Sequence, residues 1–171
     1  MKMKKVMLIV AIIATSFVHN VFAQTTSQPI DKVFTSYLSL KNALLANDAK
    51  TASASAKTML DEIGKVPMEK MTTEQHSVWM KYMKKLSYDA THISEVAELD
   101  HDREHFMSLS KNMYEVVKVF PSATAVYYQF CPMANDNKGA YWLSEKKEIH
   151  NPYYGDKMNG CPSNKETIQA K

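Results

Sequence analysis

Glycine is scarce in this chain: Gly64, Gly139, Gly155 and Gly160 are all it has in 171 residues, and only the first precedes residue 130. A glycine-rich loop whose backbone amides cradle phosphate is therefore absent, which excludes nucleotide enzymes of the P-loop and dinucleotide-fold types. Excess charge of one sign is missing too. The formal +3 rests on Lys2, Lys4 and Lys5; beyond them basic and acidic side chains balance, with no basic run longer than two residues. Such a surface offers no electrostatic footprint for nucleic acid or anionic lipid. There is no CxxC pair, so thiol oxidoreductase chemistry recedes. No Ser/His/Asp order or carboxylate pair emerges from the spacing, and the expectation is a protein that is not an enzyme.

Long apolar runs are lacking as well. Val6 to Val18 is apolar behind a basic start, and Val21, Phe22 and Ala23 end in the small residue that a signal peptidase requires. The run is too short for a permanent membrane anchor, and residue 24 is Gln, not the Cys of a lipoprotein. Residues 1–23 thus read as a cleaved export signal, with residues 24–171 as a single periplasmic domain.

What is present is helical periodicity. Ile30, Val33, Phe34, Tyr37, Leu38, Leu44 and Leu45 form one stripe. Asp48 can cap a second helix carrying Ala52, Ala56, Met59, Leu60 and Ile63, stopped by Gly64 and Pro67. Thr72 and Gln75 have capping-box spacing and open a third helix, with Trp79, Tyr82, Met83, Leu86, Ala90, Ile93 and Ala97 as its inner face. Asp100 can cap a fourth, with Phe106, Leu109, Met113, Val116, Val117 and Phe120, ended by Pro121. Short connections predict an antiparallel four-helix bundle. After Pro121 the period vanishes. Aromatics crowd residues 127–154 between turn signals, which predicts a compact, loop-rich, aromatic C-terminal lobe over about 122–171, with a short strand at 125–130.

The two cysteines each have a methionine close by: Cys131 with Met133, and Cys161 with Met158. Thiolate and thioether sulfurs are soft donors, and a site that mixes them selects Cu(I), with Ag(I) competing. His76, at the edge of the third helix's inner face, is an auxiliary imidazole candidate. The aromatic side chains Tyr127, Phe130, Tyr141 and Trp142 would shield such a site. The alternative is a Cys131–Cys161 disulfide, natural in an oxidising compartment and worth about 3.5–4 kcal/mol by loop closure. The protein would then be a stapled interaction domain without metal.

The remaining histidines are read as follows. His101, Glu104 and His105 match the H-x-x-E-H spacing of inverted zinc peptidases, but a third ligand and a cleft would be needed for catalysis. His101 and His105 can still hold a metal adventitiously. His92 falls on the face of Lys81 and Lys85 and is read as solvated; His150 falls in a turn.

The stretch Tyr127 to Asp136, together with Gly139 to Ser144, Asn151 to Gly155 and Lys157-Met158 before Cys161, resembles the family known as domain of unknown function 3347. Tyr37 to Lys41, His76 to Met80, and Arg103 with Phe106 and Ser110 are similar to its helical part. The resemblance extends over essentially the whole chain beyond residue 23. It implies a helical domain of the Gram-negative envelope, found alone or appended to periplasmic adaptors of heavy-metal efflux pumps. It also implies copper or silver handling at Cys131, Met133, Met158 and Cys161. Phe130 stands where many members carry His, which implies a sulfur-dominated site.

Overall fold

The computed structural model describes residues 28–155, 157–158 and 160–170; the expected export signal lies outside them. Four long helices account for most of the chain: α1 (Asp31–Leu45), α2 (Ala49–Gly64), α3 (Thr73–Glu95) and α4 (Leu99–Val117), with a single 3-10 turn at Met68–Lys70. Three strands follow, β1 (Val126–Cys131), β2 (Ala140–Ser144) and β3 (Ser163–Ile168), in an antiparallel sheet of order β2-β1-β3. Each helix packs on the next in sequence, and the sheet rests on α4 through β2.

Local chemistry sets the helix ends. Asp48 accepts the amide of Thr51 at the start of α2. At α3 the capping box is complete, with Thr72 Oγ1 accepting from Gln75 N and Gln75 Oε1 accepting from Thr72 N. The fourth helix starts earlier than its sequence suggests. Glu98 occupies the cap position without a side-chain bond, and Asp100 sits inside the first turn, where a carboxylate favours the amide end of the helix dipole.

The inner stripes assemble largely as their spacing requires. Trp79, Leu86, Ala90 and Ile93 of α3 and Phe106, Leu109, Met113, Val116 and Val117 of α4 are buried, while Tyr82 and Met83 are half-buried and Ala97 is exposed in the connection. The C-terminal lobe is more regular than its composition suggests. Tyr127 pairs with Ser144 and Cys131 with Ala140 across β1 and β2. The chain reverses between them through a left-handed turn in which Asn135, Asp136 and Asn137 have positive φ, a conformation that Asn and Asp tolerate best after glycine. β3 is polar and mostly exposed, as an edge strand can be, so it carries no hydrophobic alternation to announce it.

Three polar contacts tie helices to lobe. The fully buried Tyr37 hydroxyl shares a 2.8 Å hydrogen bond with Ser110 Oγ on α4 and accepts the amide of Leu143 on β2 at 3.0 Å. Arg103 donates to the carbonyls of Pro152 and Leu44 and to Asn47 Oδ1. Gly155 lies against that Asn47 with φ +58°, where a Cβ would stand 2.6 Å from the amide nitrogen. Lys41, nearly buried on α1, donates to Glu145 Oε2 at 2.6 Å.

Replacing Glu145 by Gln leaves the buried Lys41 ammonium without its counter-charge. The expected loss is about 2 kcal/mol, less than for a fully enclosed pair because water reaches the carboxylate. Burial opposes ionisation of Glu145, but the hydrogen bond and charge of Lys41 outweigh it and hold the carboxyl below its usual range. That contribution is present above the ordinary carboxylate pKa and is lost as pH falls through the folded value. Urea unfolding should therefore show the parent chain ahead of Glu145→Gln at neutral pH, with the gap closing on acidification.

Candidate metal centre

The connection between α3 and α4 is only Val96 to Glu98. Two antiparallel helices joined so tightly bring together residues roughly equidistant from residue 97. Asp89 and His92 on α3 accordingly meet His101, His105 and Ser108 on α4. His101 and His105 are four residues apart and share one helix face.

The three imidazoles of His92, His101 and His105 form a cluster whose candidate ligand atoms all lie within 4.8 Å of one another. The rings of His92 and His105 are parallel, 4.5 Å between centroids at 4°, and the His101 ring is 4.7 Å from that of His105. Three nitrogens bound to one zinc-sized ion at tetrahedral angles sit about 3.4 Å apart. To reach that spacing the rings would have to close by up to about 1.4 Å through side-chain rotation. All three residues are half-buried, and Tyr88 packs its ring against His92 at 4.5 Å. The site is accessible to an incoming ion but held on two rigid helices.

Carboxylates stand behind two of the rings. Asp89, nearly buried, faces His105 Nδ1 at 3.3 Å and accepts a 2.6 Å hydrogen bond from Ser108 Oγ. An imidazole that gives its Nδ1 proton to a carboxylate presents the Nε2 lone pair, the arrangement in which a histidine binds a metal best. Asp102 is fully buried with His101 Nδ1 3.8 Å away, and neither of its oxygens, nor that nitrogen, has a hydrogen-bond partner among the described residues. Burial pushes the Asp102 carboxyl up to about 6, against the opposing pull of His101. A buried carboxylate is costly, and His101, the Glu98 backbone and the neighbouring Arg103 guanidinium offset only part of that cost at Asp102.

The sulfur side chains are distributed differently. Cys131 ends β1 with no exposure, Met158 packs partly against the core, and Met133 and Cys161 face solvent. The pairing of Phe130 with Ser163 brings the two cysteine-bearing segments to the same end of the sheet, yet the cysteines are not bonded to each other. Of the aromatic side chains around them, Trp142 is buried, while Phe130 and Tyr141 belong to a stack that continues through Tyr128 to Tyr114. His76 is exposed in the first turn of α3, beside Gln75, whose amide donates to the Val119 carbonyl just past α4. Met133 belongs to the other end of the assembly, since its carbonyl accepts from Tyr154 in the same segment whose Pro152 is held by Arg103. His76 therefore stands apart from Met133, and about 24 Å of helix separates it from His92.

His92 is the residue that the periodicity of α3 alone misplaces. Its face does carry Lys81 and Lys85, but the last turns of α3 are covered by the start of α4, and reflection about residue 97 would have revealed the meeting. His101 and His105 do share a helix face, and His92 supplies the third imidazole that their spacing lacked. Glu104 between them is exposed.

Residues 33–124 match the family model described as a protein of unknown function, DUF3347. The chain belongs to the DUF3347 family. The matched span takes in α1 to α4 and all three clustered histidines, and it ends before the sheet. The expected reach of the resemblance over the cysteine-bearing lobe is thus not part of the match. Neither a curated protein nor a solved structure matches this DUF3347 chain.

The two carboxylates should behave in opposite ways in the metal-free protein. Asp89→Ala removes the acceptor of Ser108 and His105 and should cost about 1–3 kcal/mol. Asp102→Asn removes a charge whose burial outweighs its partial compensation and should raise the urea midpoint. Equal losses in both variants would contradict this description of Asp102.

Proposed function

We propose that this DUF3347 protein binds a transition-metal ion through His92, His101 and His105 and acts as a carrier or buffer, not as an enzyme. The observation that supports it is the three-imidazole cluster backed by buried carboxylates, one of which has only partial compensation. Imidazole suits copper, zinc, nickel and iron, and the site leaves a fourth coordination position for a small ligand or a partner's donor. The four helices are read as an antiparallel bundle whose α3–α4 end presents the ion. Export to the periplasm, suggested by residues 1–23, and handover to an efflux adaptor, implied by the family resemblance, belong to the same proposal.

Copper thus remains in the reading, with its site moved from sulfur to nitrogen. The set Cys131, Met133, Met158, Cys161 and His76 is a weaker basis for a Cu(I) or Ag(I) site, because its members divide between core, surface and the opposite end of α3. A metal-free, disulfide-stapled interaction domain is the reading in competition; the Phe130–Ser163 pairing brings the two cysteine-bearing segments to one end of the sheet, but the cysteines are not bonded to each other.

Zn(II) titration against a chromophoric chelator tests the proposal. One ion per chain should bind, and His92→Ala, His101→Ala and His105→Ala should each lose more than the roughly 10- to 100-fold that removal of an outer partner costs. Met133→Ala, Cys161→Ser and His76→Ala should bind as the parent does. Unchanged affinity in the three histidine variants, with loss in Cys161→Ser, would overturn it.

A further inference from the structure

Resting on the metal-binding reading above, we infer that Asp102 sets the charge preference of the centre, making it select a divalent ion over the soft monovalent ions Cu(I) and Ag(I). Three neutral imidazoles bring no charge of their own to a bound cation. The counter-charge must come from behind them, and the structure provides it at two places of different character.

Asp89 is already compensated. It accepts from Ser108, faces His105, and shares a surface cleft with Lys84 and Lys85. Asp102 is compensated only in part. It has no exposure, and among the described residues no lysine or arginine nitrogen comes within ion-pair distance of it; His101 at 3.8 Å is its one charged-group neighbour at that range. A cation on the far nitrogen of His101 withdraws electron density from the ring and makes its Nδ1 proton a stronger donor to Asp102. A doubly charged ion does this more strongly than a singly charged one, and it also interacts twice as strongly with the carboxylate across the ring. The short remaining gap between His101 Nδ1 and Asp102 would then close to a hydrogen bond. Asp102 touches no metal in this arrangement, so it is a positioning and selecting residue, not a ligand.

The test compares Zn(II) with Ag(I) in a Cys131→Ala, Cys161→Ala background, where no thiolate competes for silver. Binding is followed at the ring resonances of His101 and His105, so that only occupancy of the cluster is read. Asp102→Asn should weaken Zn(II) by about 10- to 100-fold and leave Ag(I) within about threefold, reducing the divalent preference accordingly. Equal weakening of both ions would overturn the inference by making Asp102 a general support of the rings, and so would unchanged Zn(II) affinity. His92→Ala in the same background separates the two levels. If it too leaves Zn(II) affinity intact, the three-imidazole reading fails along with the inference; if it abolishes Zn(II) binding while Asp102→Asn does not, only the role of Asp102 falls.

Discussion

The antiparallel register of α3 against α4 is the constraint on which the rest depends. At one end the connection Val96 to Glu98 leaves no room for slippage, and at the other Gln75, fixed by its own capping box with Thr72, reaches the Val119 carbonyl. Between these ends the buried faces of Trp79, Leu86, Ala90 and Ile93 interlock with those of Phe106, Leu109 and Met113. A shift of one residue along either helix would rotate the apolar face by about 100° and separate His92 from His101 and His105. The geometry of the cluster is therefore inherited from the hydrophobic core and not from the histidines themselves, whose mutual contacts would be repulsive if protonated.

The small sheet serves this arrangement from the side. Tyr37 joins α1, α4 and β2 through a single buried hydroxyl, and Arg103, on α4 between two of the histidines, holds the segment around Pro152 and the end of α1. Arg103, within the span that matches the family, and the run from Asn151 to Gly155, beyond it, thus meet in one clasp. Their chemistry is structural: a guanidinium satisfies three acceptors at once, and Gly155 admits Asn47 where a side chain could not fit. Anchoring α4 in this way fixes the face that carries His101 and His105.

The helices were legible because burial imposes a period of 3.6 on them, and their starts at Asp48 and Thr72 were legible because capping is local chemistry. The lobe was less so. β2 follows a left-handed turn that Asn135, Asp136, Asn137 and Gly139 build together and is buried along most of its length, and β3 is a polar edge, so neither carries the alternation that identifies a strand. For the candidate site, the pattern of His101 and His105 was visible as an i, i+4 pair, whereas His92 required knowing which helix covers the end of α3. The buried charge of Asp102 was not legible either, since it sits in a run of polar residues, from His101 to His105, that reads as solvated surface. The sulfur residues drew attention through their near-symmetric spacing, but spacing says nothing about burial, and the fold gives Cys131 and Cys161 unlike environments.

The central claim is that the metal ligands are nitrogen atoms from one helical hairpin, with sulfur having no part. X-ray absorption of the Zn(II)- or Cu(II)-loaded chain tests it most directly. The account predicts three imidazole nitrogens at about 2.0–2.1 Å with their outer-ring scattering and no sulfur shell, whereas a sulfur shell at about 2.3 Å would contradict it.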